Sequence, residues 1–152
     1  MSLLNMKLAD VDTSRPCLQS GMYPVIIKNV ELKEKSKEPG KYQLFFQFAT
    51  LEPAHDSKGG TLNAGFSITK FFDTEPMEND KAEEIRQQQL ATLVDILTDK
   101  QEPRPDLTDE MLPQFKGLQL KLSIGFDANA TNKKTGEEYG PQNNIKGYFP
   151  LN

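Results

Sequence analysis

The sequence predicts a mainly β domain in which five strands close into a small barrel around one helix. Three observations carry that expectation. Several segments alternate apolar and polar residues with period two, as strands with one buried face do. One long segment, ending near Leu97, instead carries the i, i+3, i+4, i+7 stripe of a packed helix. The first strand-like stretch also changes parity midway, which is what a β-bulge in a coiled strand would produce.

Residues 1–20 have weak periodicity and read as an N-terminal arm, with the barrel spanning 21–152. In "GMYPVIIKNVELKEK", Tyr23, Val25 and Ile27 share one parity and Val30 and Leu32 the other, so the slip falls near Lys28-Asn29. "SKEPGK" is a turn built on Pro39-Gly40. Strand two, "KYQLFFQFATLE", puts Tyr42, Leu44, Phe46 and Phe48 on an apolar core face, with Lys41, Gln43, Phe45 and Gln47 opposite. Phe45 is therefore an aromatic on a polar face. Strand three, "TLNAGFSITKFF", alternates through Leu62, Ala64, Phe66 and Ile68, and Gly65 within it signals a bend or a close approach. Phe72 belongs to the core, while Phe71 stays unassigned because the strand ends there.

A helical insert at about 79–113 follows, between strands 3 and 4. Asp80 and Glu83 read as a capping box, Leu90, Leu93, Val94 and Leu97 form the packed stripe, and Pro103 and Pro105 end it. Thr108 caps a short turn before Pro113. Strand four, "GLQLKLSIGF", buries Leu118, Leu120, Leu122, Ile124 and Phe126, and "DANATNKKTGEE" is a polar hairpin loop. Strand five covers about Asn143 to Phe149, with Ile145, Gly147 and Phe149 alternating against Lys146 and Tyr148. The order β-β-β-α-β-β is the layout of a five-stranded OB-fold Greek-key barrel, in which the strand 2–3 face and loops L12 and L45 bind oligonucleotides or oligosaccharides. The rival arrangement is an open α+β sheet with the helix on one face.

Length and composition exclude several functions. At 152 residues the chain is most simply one domain and can bury a core without metals or disulfides. No apolar run approaches the roughly 18 residues of a membrane span, and no charged-then-apolar start reads as a signal. One cysteine, Cys17, rules out an intrachain disulfide and suits a reducing cytoplasm. His55 is the one histidine and reads as a loop residue, so no zinc cluster or nucleophile–histidine pair is expected. No phosphate-cradling glycine loop is present. The chain is thus expected to be non-catalytic, with no cofactor and no metal.

Charge is uneven. The net charge is −4, yet residues 73–112 hold 12 Asp/Glu against 4 Lys/Arg and the remainder holds 10 against 14. The strands are basic and the insert is acidic, and a binding face needs local rather than global potential. Lys33, Lys35, Lys37 and Lys41 flank L12, Lys133 and Lys134 sit in L45, and Lys28, Lys121 and Lys146 lie on polar strand faces. Single-stranded nucleic acid binds such grooves through cations and through aromatics on which bases stack. Phe45 and Tyr148 fall on lysine-bearing faces and Tyr139 stands at the mouth of the last hairpin. If the Phe45 and Tyr148 rings are packed inside, or the two lysine-bearing hairpins lie on opposite poles, this groove fails and a protein-interaction module takes its place.

The segment "YGPQNNIKGY", Tyr139 to Tyr148, resembles the closing motif of phage-encoded single-stranded-DNA-binding proteins with OB-folds. "GMYPVIIKNVELKE", "YQLFFQFATLE" and "AEEIRQQQLATLVDIL" agree in order, so the resemblance covers roughly Gly21 to Pro150. It implies sequence-tolerant coating of transient single strands in phage replication or recombination, in the host cytoplasm, with Tyr139, Asn144, Lys146 and Tyr148 lining or shaping the groove. Many single-strand binders end in an acidic tail that recruits replication proteins, whereas this sequence ends "KGYFPLN". Recruitment of replication or recombination proteins would then fall to the acidic insert, or the role is absent. Pairing of two barrels into a homo-oligomer, through an edge strand or the arm, is open. The contrasting expectation is an OB-type interaction or assembly module with no nucleic-acid ligand.

Overall fold

The computed structural model describes residues 4–9, 16–76, 78–131 and 138–151. Its elements are β1 (Gly21–Glu34), β2 (Tyr42–Thr50), β3 (Ala54–His55), β4 (Thr61–Leu62), β5 (Ser67–Asp73), α1 (Asp80–Leu97), a 3-10 turn (Asp109–Met111), α2 (Leu112–Phe115), β6 (Gln119–Thr131) and β7 (Glu138–Phe149). Five strands form one antiparallel sheet in the order β5-β2-β1-β6-β7, and β3 with β4 forms a separate pair. The large sheet is barrel-like and nearly closed, consistent with an OB-like fold. Across its interior Phe48 of β2 meets Tyr148 of β7, ring centroids 6.4 Å apart.

β1 makes this curvature. Its first half, Gly21–Ile26, pairs with β6, and Val25–Glu34 pairs with β2. The register on β2 slips between Ile27 and Asn29, so Lys28 is the extra residue of a bulge. That keeps Val25, Ile27 and Val30 all buried although the spacing between the last two is odd, and the bend lets one strand serve two partners. The core joins them to Leu44, Phe46, Phe48, Ile68, Phe72, Leu120, Leu122 and Ile124, with Leu93 of α1 and Phe115 of α2 packed on it. Each such side chain contributes roughly 1.5–3 kcal/mol of apolar burial.

The helical segment was expected between strands 3 and 4; it lies instead after β5. What reads as one strand, Thr61 to Phe72, is two. Gly65 adopts a φ of 94° and its N–H donates to the Thr50 carbonyl at 2.7 Å, which breaks the strand. Thr61–Leu62 pairs back on Ala54–His55, through a turn in which the Asp56 carboxylate accepts the Lys58 and Gly60 amides at 2.8 and 2.9 Å. The helix cap also differs by one residue: the Asn79 side chain, not Asp80, accepts from the Lys81 and Ala82 amides, at 2.9 and 3.1 Å. Glu83 turns to Arg86 instead of closing a capping box. Cys17 and Leu18 of the arm are buried. Leu18 is fully buried, bridges Asp56, and exchanges two hydrogen bonds with the Asn143 side chain, at 2.7 and 2.8 Å.

Candidate nucleic-acid interface

The outer face of β1, β2 and β5 follows from strict alternation opposite the core. β1 presents Glu31 and Lys33, β2 presents Gln43, Phe45 and Gln47, and β5 presents Ser67, Thr69, Phe71 and Asp73. Phe45 sits on the middle strand, directly between Glu31 and Phe71 in register. Its ring touches that of Phe71, centroids 4.9 Å apart, and Lys33 Nζ lies 4.1 Å from its centroid. These two neighbours leave Phe45 only 7 % exposed, so its expected role as a free stacking surface is corrected: it is a floor, not a platform. Phe71, 46 % exposed, is the ring of this pair that the face leaves open. Hydrogen-bonding side chains flank the pair. Gln43 Nε2 donates to Asp73 at 3.1 Å and Gln47 Nε2 to Ser67 Oγ at 3.2 Å.

Tyr148 requires a larger correction. It was expected beside Lys146 on a polar face, but it is 5 % exposed and belongs to the core. The cause is a second bulge. The β6–β7 register slips between Ser123–Gly147 and Ile124–Ile145, so Lys146 is an extra residue. Ile145 and Tyr148 both turn inward, and Gly147 and Phe149 turn outward opposite Ser123 and Lys121. Burial holds the Tyr148 phenol well above its ordinary value. Phe149 is exposed, and its ring lies over Gly147, 3.0 Å from where a Cβ there would stand.

The lysines are less available than their number suggests. Lys33 pairs with Glu31 at 3.5 Å, Lys35 with Asp73 at 2.8 Å, and Lys41 with Glu38 and Glu75 at 3.3 and 3.6 Å. The Lys35 hydrogen bond holds the Asp73 carboxyl below the usual aspartate value. Lys28, Lys37 and Lys146 are exposed and have no salt bridge among the described residues, and Lys121 is half-buried. Lys70 points inward between Ile68 and Phe72, 5.3 Å from the Phe72 ring, and burial lowers its pKa. Asn144 is exposed on β7 opposite Gly125. Lys133, Lys134 and the side chain of Tyr139 lie outside the described residues.

Phe45 and Tyr148 are both packed, so the groove expected around their exposed rings is not formed; the structure keeps Lys33, Lys35 and Phe45 on one outer face, which Tyr148 does not reach. It adds Phe71, whose outward direction follows from Ile68 inward: parity alone then sends Lys70 and Phe72 in and Phe71 out. No group of three or more His, Cys, Asp or Glu residues able to hold a metal occurs among the described residues. No described helix is long and apolar enough to cross a membrane. No family model matches the chain, and no curated protein matches it.

Proposed function

We propose that the chain is an OB-type barrel that binds single-stranded DNA without sequence preference, along the outer face of β1, β2 and β5. The observation that carries this reading is the exposed Phe71 ring seated against Phe45 beneath Lys33. Any base offers a π-face to such a ring, so stacking tolerates sequence. Gln43, Gln47 and Thr69 border the ring with hydrogen-bonding groups, and Lys33 needs only to leave the exposed Glu31 carboxylate to meet a phosphate. A role in phage replication or recombination rests on the sequence resemblance alone.

The test is anisotropy of labelled oligo-dT, since the chain has no tryptophan to report binding. Binding at low salt is expected to resist duplex competitor. Phe71→Ala is expected to remove about 1–3 kcal/mol, the range found for one stacked base. A single-stranded RNA arm decides whether the sugar is read. An unchanged affinity in Phe71→Ala overturns the assigned face. The neutralised lysines favour a second reading, an interaction module with no nucleic-acid ligand, and failure to bind oligo-dT at low salt would leave that one standing.

A further inference from the structure

The outer face does not end at β1. Asn29 opposite Gln47 and Ile26 opposite Ala49 carry it past the first bulge. Ile26 and Pro24 then face Gln119 and Lys121 of β6, and Lys121 faces Phe149 of β7. Register therefore puts Phe71 and Phe149 on one continuous surface, on the two end strands of the sheet. Four strand intervals of about 4.8 Å lie between them across the sheet, and six residue steps of about 3.3 Å along it. A path over the surface from one ring to the other is roughly 30 Å long.

The surroundings of the two rings differ. Phe149 is 43 % exposed, and Lys121 is its partner in register. Lys146, the extra residue of the second bulge, runs its stem across Gly125, where any Cβ would collide with it. Neither lysine has a carboxylate within salt-bridge distance among the described residues, whereas Lys33, Lys35 and Lys41 at the other end are all paired. Ser123, opposite Gly147, and Asn144, opposite Gly125, add hydrogen-bonding groups to the same patch. A ring beside unpaired cations is the combination that single-stranded nucleic acid engages through base and phosphate.

We infer that Phe149, Lys121 and Lys146 form a second contact site for the same single strand, an inference that rests on the single-strand reading above. A strand seated on Phe71 continues across β1 to β6 and β7, stacks a second base on Phe149, and sets phosphates against Lys121 and Lys146. The two ends then divide the work. Stacking on a neutralised surface holds the strand at β2 and β5, and the cationic contacts come from β6 and β7.

Anisotropy of the full chain with labelled oligo-dT of about 4 and about 16 nucleotides, the two ends of the footprint range for one OB fold, tests this. On the longer strand, Phe149→Leu keeps an apolar cover on Gly147 but offers no π-face, and is expected to weaken binding about tenfold. On the shorter strand, which cannot span both rings, the same variant is expected to change affinity little, because Phe71 remains. Lys121→Gln and Lys146→Gln are each expected to flatten the salt dependence on the longer strand by about 0.7 in log–log slope. Their urea midpoints are expected to equal the parent's, so a folding loss cannot mimic the change. A parent that binds no oligo-dT at low salt overturns this inference together with the single-strand reading. A parent that binds and depends on Phe71, but keeps its affinity in Phe149→Leu and its slope in both lysine variants, overturns this inference alone.

Discussion

Tyr148 is packed against Phe48, and its hydroxyl finds no partner among the described residues. An unpaired buried hydroxyl costs about 1–3 kcal/mol relative to one that is bonded, while the ring itself fills core volume that nothing else supplies. The two contributions separate by substitution. Tyr148→Phe removes the hydroxyl and keeps the ring, so stability to urea is expected to rise by about 1 kcal/mol. Tyr148→Ala removes the ring and is expected to cost about 3–5 kcal/mol. Affinity of Tyr148→Phe for oligo-dT is expected to equal the parent's, because no part of this side chain reaches the Phe71 face. A Tyr148→Phe variant less stable than the parent would show that the hydroxyl is bonded after all.

At the scale of elements, the two bulges show what a periodic pattern can and cannot reveal. The slip in β1 was legible because both halves of that strand carry unambiguous apolar residues: Tyr23, Val25 and Ile27 on one side of it, Val30 and Leu32 on the other. The slip in β7 was not. Ile145 to Phe149 offers adjacent aromatics, so either Tyr148 or Phe149 could face inward, and strict alternation chose wrongly. Only the register against Leu122 and Lys121 decides it, and that is a tertiary fact. Phe45 fails differently. Its direction was read correctly, but its burial depends on Phe71 and Lys33 coming from neighbouring strands. The β3–β4 pair escaped notice because two-residue strands leave no period to detect.

The arm was legible only as an arm, since what holds it is Asn143, distant by 125 residues. That side chain satisfies both the N–H and the carbonyl of the fully buried Leu18, and also donates to the Gly125 carbonyl at 3.3 Å. Asn143→Ala is therefore expected to destabilise the fold by about 2 kcal/mol through orphaned backbone groups. Faster hydrogen exchange is expected at the Leu18 amide and at its neighbours Gln19 and Ser57, which bond to and from this segment. Loss of stability without local exchange would place the effect elsewhere.

For the whole molecule, the proposed binding of single-stranded DNA turns on how much cationic charge is free to meet phosphate. Nine lysines were assigned to the groove from the sequence. If each neutralised a phosphate of a single strand, the affinity would fall with salt at a log–log slope of about −6, at roughly −0.7 per contact. The structure argues for a much shallower slope. Lys33, Lys35 and Lys41 already face carboxylates, and a lysine that exchanges a carboxylate for a phosphate gains little net charge neutralisation. Around them lies a protein of net charge −4. Binding should then be led by stacking on Phe71, with a slope shallower than about −2. Glu31 offers the test, because it restrains Lys33, which lies over the Phe45 ring. Glu31→Gln is expected to free Lys33, steepen the slope by about 0.7 and tighten binding severalfold at low salt. Phe71→Ala is expected to lower affinity equally at every salt concentration and leave the slope alone. A parent slope near −6, or a Glu31→Gln slope identical to the parent's, would mean that the paired lysines do not govern the electrostatics of this face.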